Sequence, residues 1–124
     1  MIAADTSSFV AYLGGDNGAD VETMDAALKD SHLVLPCVAL TELLSDPKLP
    51  ASLAKIIQDV PRLDPLGGFW ERAGALRAKV LRRGRRARLA DTLIAQLCID
   101  HNVSLITRDA DFRHFVQSGG LALA

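Results

Sequence analysis

Short apolar runs alternate with longer amphipathic stretches along the whole chain, and this rhythm restricts the fold more than any other feature. Met1–Ala4, Leu33–Leu35, Arg62–Leu66 and Val103–Thr107 have strand length and no helical repeat. Between them the spacing predicts helices over Ser8–Leu13, Asp20–Lys29, Val38–Leu44, Pro50–Val60, Gly68–Arg83 and Leu89–His101. The breaks have local causes: Gly14-Gly15, Pro36, Asp46-Pro47 and Gly84 cannot easily continue the element before them. A last helical stretch over Phe112–Val116, Gly119-Gly120 and a small terminal strand at Leu121–Leu123 complete the pattern. Strands separated by helices predict an α/β fold, a three-layer α/β/α sandwich with a central parallel sheet. The 124 residues suit one domain, 1–124.

That expectation locates the chemistry. Open parallel sheets bind ligands at the carboxyl ends of their strands, and acids stand there. Asp5 follows the first strand and Asp109 follows Val103–Thr107, with Asp111 two residues on. Glu42 interrupts an otherwise apolar helix, and Asp91 opens the nearly all-apolar helix Leu89–His101. Each has an ordinary explanation: a helix cap for Asp5, Asp109 or Asp111, a solvated stripe for Glu42, the positive helix end for Asp91. Gathered in one cleft, they repel by roughly 3 kcal/mol per pair at about 5 Å and an effective dielectric near 20. Protons or a cation must offset this, and Mg²⁺ or Mn²⁺ suits an all-oxygen donor set better than zinc.

Four segments carry a resemblance in order and spacing. Asp5-Thr6-Ser7 after a strand, Leu40-Thr41-Glu42-Leu43-Leu44, Leu89-Ala90-Asp91-Thr92-Leu93-Ile94-Ala95 and Leu105-Ile106-Thr107-Arg108-Asp109-Ala110-Asp111-Phe112 resemble the motifs of PIN domains. Within that group the chain looks like the VapC toxins of bacterial toxin–antitoxin pairs. The resemblance implies a Mg²⁺-dependent (or Mn²⁺-dependent) endoribonuclease. Asp5, Glu42, Asp91 and Asp109 would be its catalytic acids and metal ligands, and Asp111 a further metal-site member ranked below Asp109. It also implies that Thr6, Ser7 and Thr107 support the acids by hydrogen bonds. It implies a VapB-like antitoxin as partner, an RNA substrate (transfer or ribosomal) and a homodimer. Segment Asp16–Asp30 matches no motif and is the expected docking region for the partner.

The net charge of −1 hides a local segregation. Arg77, Lys79, Arg82, Arg83, Arg85, Arg86 and Arg88 are seven of the fourteen basic residues, and no acid separates them. Such a run can simply complement a helix C-terminus. Because it leads directly into Asp91, Arg82, Arg83, Arg85, Arg86 and Arg88 are candidate contacts for a phosphodiester backbone. Phe9, Tyr12 and Trp70 are read as packing residues, Trp70 in the core or in a dimer contact rather than against a base. His32, His101 and His114 are scattered, which argues against chemistry by a histidine pair.

Cys37 and Cys98 sit in apolar surroundings and are expected to be buried, reduced thiols. With no secretory signal pattern and no apolar run near the roughly 18 residues of a membrane span, a cytoplasmic protein without membrane association is expected. A signalling receiver domain shares the length and sheet type, but Asp5 stands alone where that family carries paired acids, and no Lys follows Lys79. A non-catalytic PIN-like binding module and a nuclease acting on DNA are the remaining alternatives.

Overall fold

A computed structural model describes residues 1–124, and its centre is a four-stranded sheet in the order β3-β2-β1-β4. The strands are β1 (Ile2–Ala4), β2 (Leu33–Pro36), β3 (Arg62–Leu63) and β4 (Ser104–Ile106). All three pairings are parallel, with Ala3 opposite both Val34 and Leu105. Seven helices connect them: α1 (Thr6–Leu13), α2 (Ala19–Lys29), α3 (Cys37–Leu44), α4 (Ala51–Asp59), α5 (Phe69–Arg82), α6 (Leu89–His101) and α7 (Arg113–Gly119).

Helices α1 and α2 pack together, with α2 against β2 and β4, while α6 packs on α5 and α7 and reaches β2, β3 and β4. The result is the three-layer α/β/α sandwich with a parallel sheet expected from the sequence. The strands are short and apolar because both faces are covered: β2 is buried at all four positions. Phe9, Met24, Leu35, Ile57, Ile94, Leu97, Leu105, Phe112 and Phe115 fill the core. No helix is long and apolar enough to cross a membrane.

The strand order matters for function. From β1 the chain moves one way to β2 and β3, then crosses back to place β4 on the other side of β1. The direction reverses between β1 and β4, and such a reversal opens a crevice at the carboxyl edge of the sheet. The Asp5 N–H donates to the Ile106 carbonyl (3.1 Å), so the two strand ends leave the sheet side by side.

Several expectations need correction. The terminal strand at Leu121–Leu123 is only a single parallel bridge from Leu123 to Leu105. Gly120, at φ +76°, turns the chain so late that one residue alone comes into register. The strand expected over Arg62–Leu66 ends at Leu63, ahead of Asp64-Pro65. Pro36 does not break β2 but is its last residue, paired with Leu63. The final helix runs over Arg113–Gly119, preceded by a 3₁₀ turn at Ala110–Phe112. Of the two places expected for Trp70, core or dimer contact, the core is excluded: it is 63% exposed, with its ring edge-on to Phe69. Cys37 is half-buried, whereas Cys98 is buried and its thiol is pushed up to about 12 by desolvation.

Candidate active site

Asp5 leaves β1 in an extended conformation and turns its carboxylate over the start of α1. One oxygen, Oδ1, accepts the Ser8 backbone N–H at 2.9 Å, and the other, Oδ2, accepts the Thr107 hydroxyl at 2.6 Å. The Ser7 hydroxyl reaches both oxygens at 2.9 Å. Asp5 is therefore a helix cap, and it is also a 3%-exposed acid at the mouth of the crevice. Burial raises its pKa; the hydrogen bonds from Thr107, Ser8 and Ser7 oppose this, and the charge of Asp109 adds to it.

The Thr107 hydroxyl does two things. While donating to Asp5 it accepts the Asp109 N–H at 3.0 Å, and so fixes the acid after β1 against the acid after β4. Asp109 Oδ1 in turn accepts the Asp111 N–H at 2.9 Å, capping the 3₁₀ turn. Glu42 lies on the exposed side of α3 and accepts the Thr6 hydroxyl at 2.7 Å. Asp91, in the first turn of α6, feels three of these acids. Burial first, then the charges of Asp109, Glu42 and Asp5, push its carboxyl up to about 6, against the pull of Arg88.

Asp5, Glu42, Asp91 and Asp109 thus share one electrostatic neighbourhood, although they are far apart in sequence. Asp111 behaves differently. Its carboxylate lies 3.9 Å from both Arg86 and His114, on the side of the turn nearer the basic loop. Each of Thr6, Ser7 and Thr107 donates to an acid. No three acidic, histidine or cysteine side chains form a closed cage as they stand. Mg²⁺ does not require one, since it keeps several waters and takes one or two carboxylates directly. The all-carboxylate donor set, with Asp91 raised by burial and then by its acidic neighbours, fits a hard divalent cation.

The basic run lies beside these acids. Helix α5 ends at Arg82, Gly84 turns the chain, and Arg82, Arg83, Arg85, Arg86 and Arg88 are exposed. The loop is pinned from beneath: Arg77 Nε donates to the Ala87 carbonyl at 2.8 Å, and Arg83 donates to the Ser118 hydroxyl at 3.2 Å. Arg82, Arg85 and Arg88 enter no salt bridge.

Sequence reasoning missed one group of residues here. Arg108, between Thr107 and Asp109, holds Asp20 of α2 with two hydrogen bonds, at 2.8 and 3.0 Å. Asp20 also accepts the Ser8 hydroxyl at 2.9 Å. The one available signal was a lone arginine inside an acidic motif, and its partner lies 88 positions away in a segment without motifs.

The fold and the placement of the acids define a parallel α/β sandwich with carboxylates at the crevice beside its first strand, and the comparisons place that fold in a family. The PIN domain family model matches residues 2–116, so the chain belongs to the PIN domain family. PIN domains are typically nucleases, and PIN nucleases generally use divalent metal ions. No curated protein gives a sequence match. Among solved structures the chain is similar to VapBC2 from Rickettsia felis bound to a DNA fragment from the promoter. That match has 20% identity and a TM-score of 0.75, covering 100% of this chain and 98% of that one. It is also similar to FitAcB from Neisseria gonorrhoeae (18% identity, TM-score 0.68, 99% and 96% covered). A third is FitAB bound to an IR36 DNA fragment (17% identity, TM-score 0.70, 100% and 94% covered).

Proposed function

We propose that this chain is a single PIN domain acting in the cytoplasm as a metal-dependent endoribonuclease, the toxin of a VapC-type toxin–antitoxin pair. The observation that carries the reading is the joining of acids at the crevice. Thr107 ties Asp5 to Asp109 through contacts of 2.6 and 3.0 Å, and Asp91, pushed up to about 6 by burial first and then by Asp109, Glu42 and Asp5, lies in the same field. A fold with no use for a cation gains nothing from gathering those charges in its crevice.

Asp5, Glu42, Asp91 and Asp109 would hold Mg²⁺ or Mn²⁺, with Asp111 at the periphery. When bound, such an ion supplies a water of lowered pKa and a positive charge for a phosphoryl oxygen. The chain's own residues do the rest. Thr107, Ser7 and Ser8 keep both Asp5 oxygens oriented. Thr6 orients Glu42. Arg86 and Arg88, which reach toward Asp111 and Asp91, are suited to gripping the phosphates that flank the cut, and Arg82, Arg83 and Arg85 extend that grip along the strand. RNA is favoured over DNA by the family resemblance. A water nucleophile needs no 2′-hydroxyl, so discrimination would lie in binding.

The partner reading rests on the same footing. The similar VapBC and FitAB structures are complexes by their names, and a small VapB-like antitoxin is the expected partner here. The exposed Trp70 and Leu89, 63% and 61% accessible, support the homodimer.

Purified protein is expected to cut single-stranded RNA oligonucleotides in Mn²⁺ or Mg²⁺, to spare the matching DNA, and to stop when the metal is chelated. Cleavage that persists in excess chelator would exclude metal-assisted hydrolysis. Equal cutting of DNA would move the protein to the DNA-nuclease alternative.

A further inference from the structure

Hydrogen bonds around Asp5, joined by covalent links within Ser8 and between Thr107 and Arg108, form a path that leaves the site and returns to it. From Asp5 Oδ1 the path runs to the Ser8 N–H, and the Ser8 hydroxyl donates to Asp20 Oδ2 at 2.9 Å. Asp20 is held by Arg108, from Nε at 2.8 Å and Nη2 at 3.0 Å. Arg108 adjoins Thr107, whose hydroxyl donates to Asp5 Oδ2 at 2.6 Å. Besides Ser7, which reaches both, each oxygen of the buried Asp5 carboxylate is therefore held by a residue tied to one ion pair, Ser8 through its hydroxyl and Thr107 through its peptide link to Arg108.

We propose that the Arg108–Asp20 pair is a clasp that positions Asp5, holding Ser8 on one side and Thr107 on the other so that both carboxylate oxygens keep their angle. This rests on the reading of Asp5 as a metal-site acid.

The pair is built for that task rather than left over on the surface. Its geometry is the two-pronged arginine–carboxylate contact, which fixes direction as well as distance. The Asp20 side chain is 13% exposed. The arginine also donates to the Asn17 carbonyl at 3.2 Å and lies 3.7 Å from Asp16, so it ties down the whole turn before α2. Arg108 holds the Asp20 carboxyl at about 2, so the pair stays charged throughout the working pH range. Room has been left for it: at Gly18, φ +149°, an added Cβ would lie 2.6 Å from Asp20 Oδ1 and 3.1 Å from Arg108 Nη2. A guanidinium is needed, because an ammonium is a point charge without the fork.

The test compares Arg108→Ala, Arg108→Lys, Asp20→Asn and the Arg108→Ala/Asp20→Asn double variant with the parent. Two readouts are taken: amide hydrogen exchange at Ser8 by NMR without metal, and Mn²⁺ affinity by titration. Each single variant is expected to speed Ser8 exchange at least about 10-fold relative to the later turns of α1, and to weaken Mn²⁺ binding about 3- to 10-fold. Arg108→Lys is expected to fall between the parent and Arg108→Ala, and the double variant to be no worse than the worse single one. Arg108→Lys keeps the charge and guards against loss of the fold. Unchanged Ser8 exchange in every variant overturns the clasp, whatever the metal does. Faster Ser8 exchange with unchanged Mn²⁺ affinity also overturns it as a positioning device. If Asp5→Asn binds Mn²⁺ as tightly as the parent, the metal-site reading fails instead, a result that the metal-free exchange measurement keeps separate.

Discussion

Asp5→Asn is expected to remove RNA cleavage while leaving the fold in place. The asparagine is nearly isosteric, and its carbonyl can still accept the Ser8 N–H that caps α1. What it cannot do is accept on the other side as well, where its amide meets the hydroxyl of Thr107 (2.6 Å from Oδ2 in the parent). Thr107 must then turn its proton away, which disturbs its second contact, the one accepted from Asp109. The negative charge that would face a cation is lost outright. Removing an outer-shell partner of a metal ligand typically costs 10- to 100-fold, so loss of the ligand itself should cost at least about 100-fold in kcat/KM. Asp5→Ala should behave differently. It deletes the cap and leaves buried donors unpaired, for a stability loss of about 2–3 kcal/mol. Activity of both variants against an RNA oligonucleotide, with thermal melts alongside, separates the two effects. An Asp5→Asn protein that melts like the parent and cuts as fast would remove Asp5 from the chemistry.

The grouping of the candidate acids was legible in outline because its parts are local signals. An acid directly after a short strand, or in the first turn of an apolar helix, can be recognised from its immediate neighbours. The sheet class then brings such positions to one edge. The supporting hydroxyls were legible only through the family resemblance, since a Thr or Ser near an acid carries little information of its own. The Arg108–Asp20 pair was legible only as a lone arginine inside an acidic motif. It is a contact between the end of β4 and the start of α2, and nothing near Arg108 names a partner 88 positions away. Of the two places open to Trp70, the core or a dimer contact, the sequence did not exclude the core. Large aromatics are usually buried, and nothing in Gly68-Phe69-Trp70 says that Phe69 takes the core position and turns its neighbour outward. The terminal strand failed on register: Leu121-Ala122-Leu123 is apolar but weak in β propensity, and strand pairing depends on where the preceding turn delivers the chain.

The structure also predicts a trade between stability and function at Asp91. Folding raises this carboxyl from 3.8 to about 6. A group with a raised folded-state pKa binds its proton more tightly in the folded chain than in the unfolded one. Its protonated form therefore favours folding, and that contribution is lost as pH rises from about 4 to about 6. Above that window the ionised carboxylate is a net cost. Two pKa units correspond to about 3 kcal/mol. Because Asp91 is only half-buried, solvent screening reduces this to about 1–2 kcal/mol. Asp91→Asn should accordingly be more stable than the parent at pH 7 by about 1–2 kcal/mol, with the difference vanishing near pH 4, and it should be inactive. Denaturant melts at pH 4, 5, 6 and 7 measure the first part. Adding Mn²⁺ at pH 7 should stabilise the parent, by mass action on the folded form, and leave the variant nearly unmoved. The sign of the pH dependence is the decisive feature. If the parent is the more stable protein across the whole range, Asp91 is engaged in a favourable structural interaction, and the repulsion that supports a cation site here is absent.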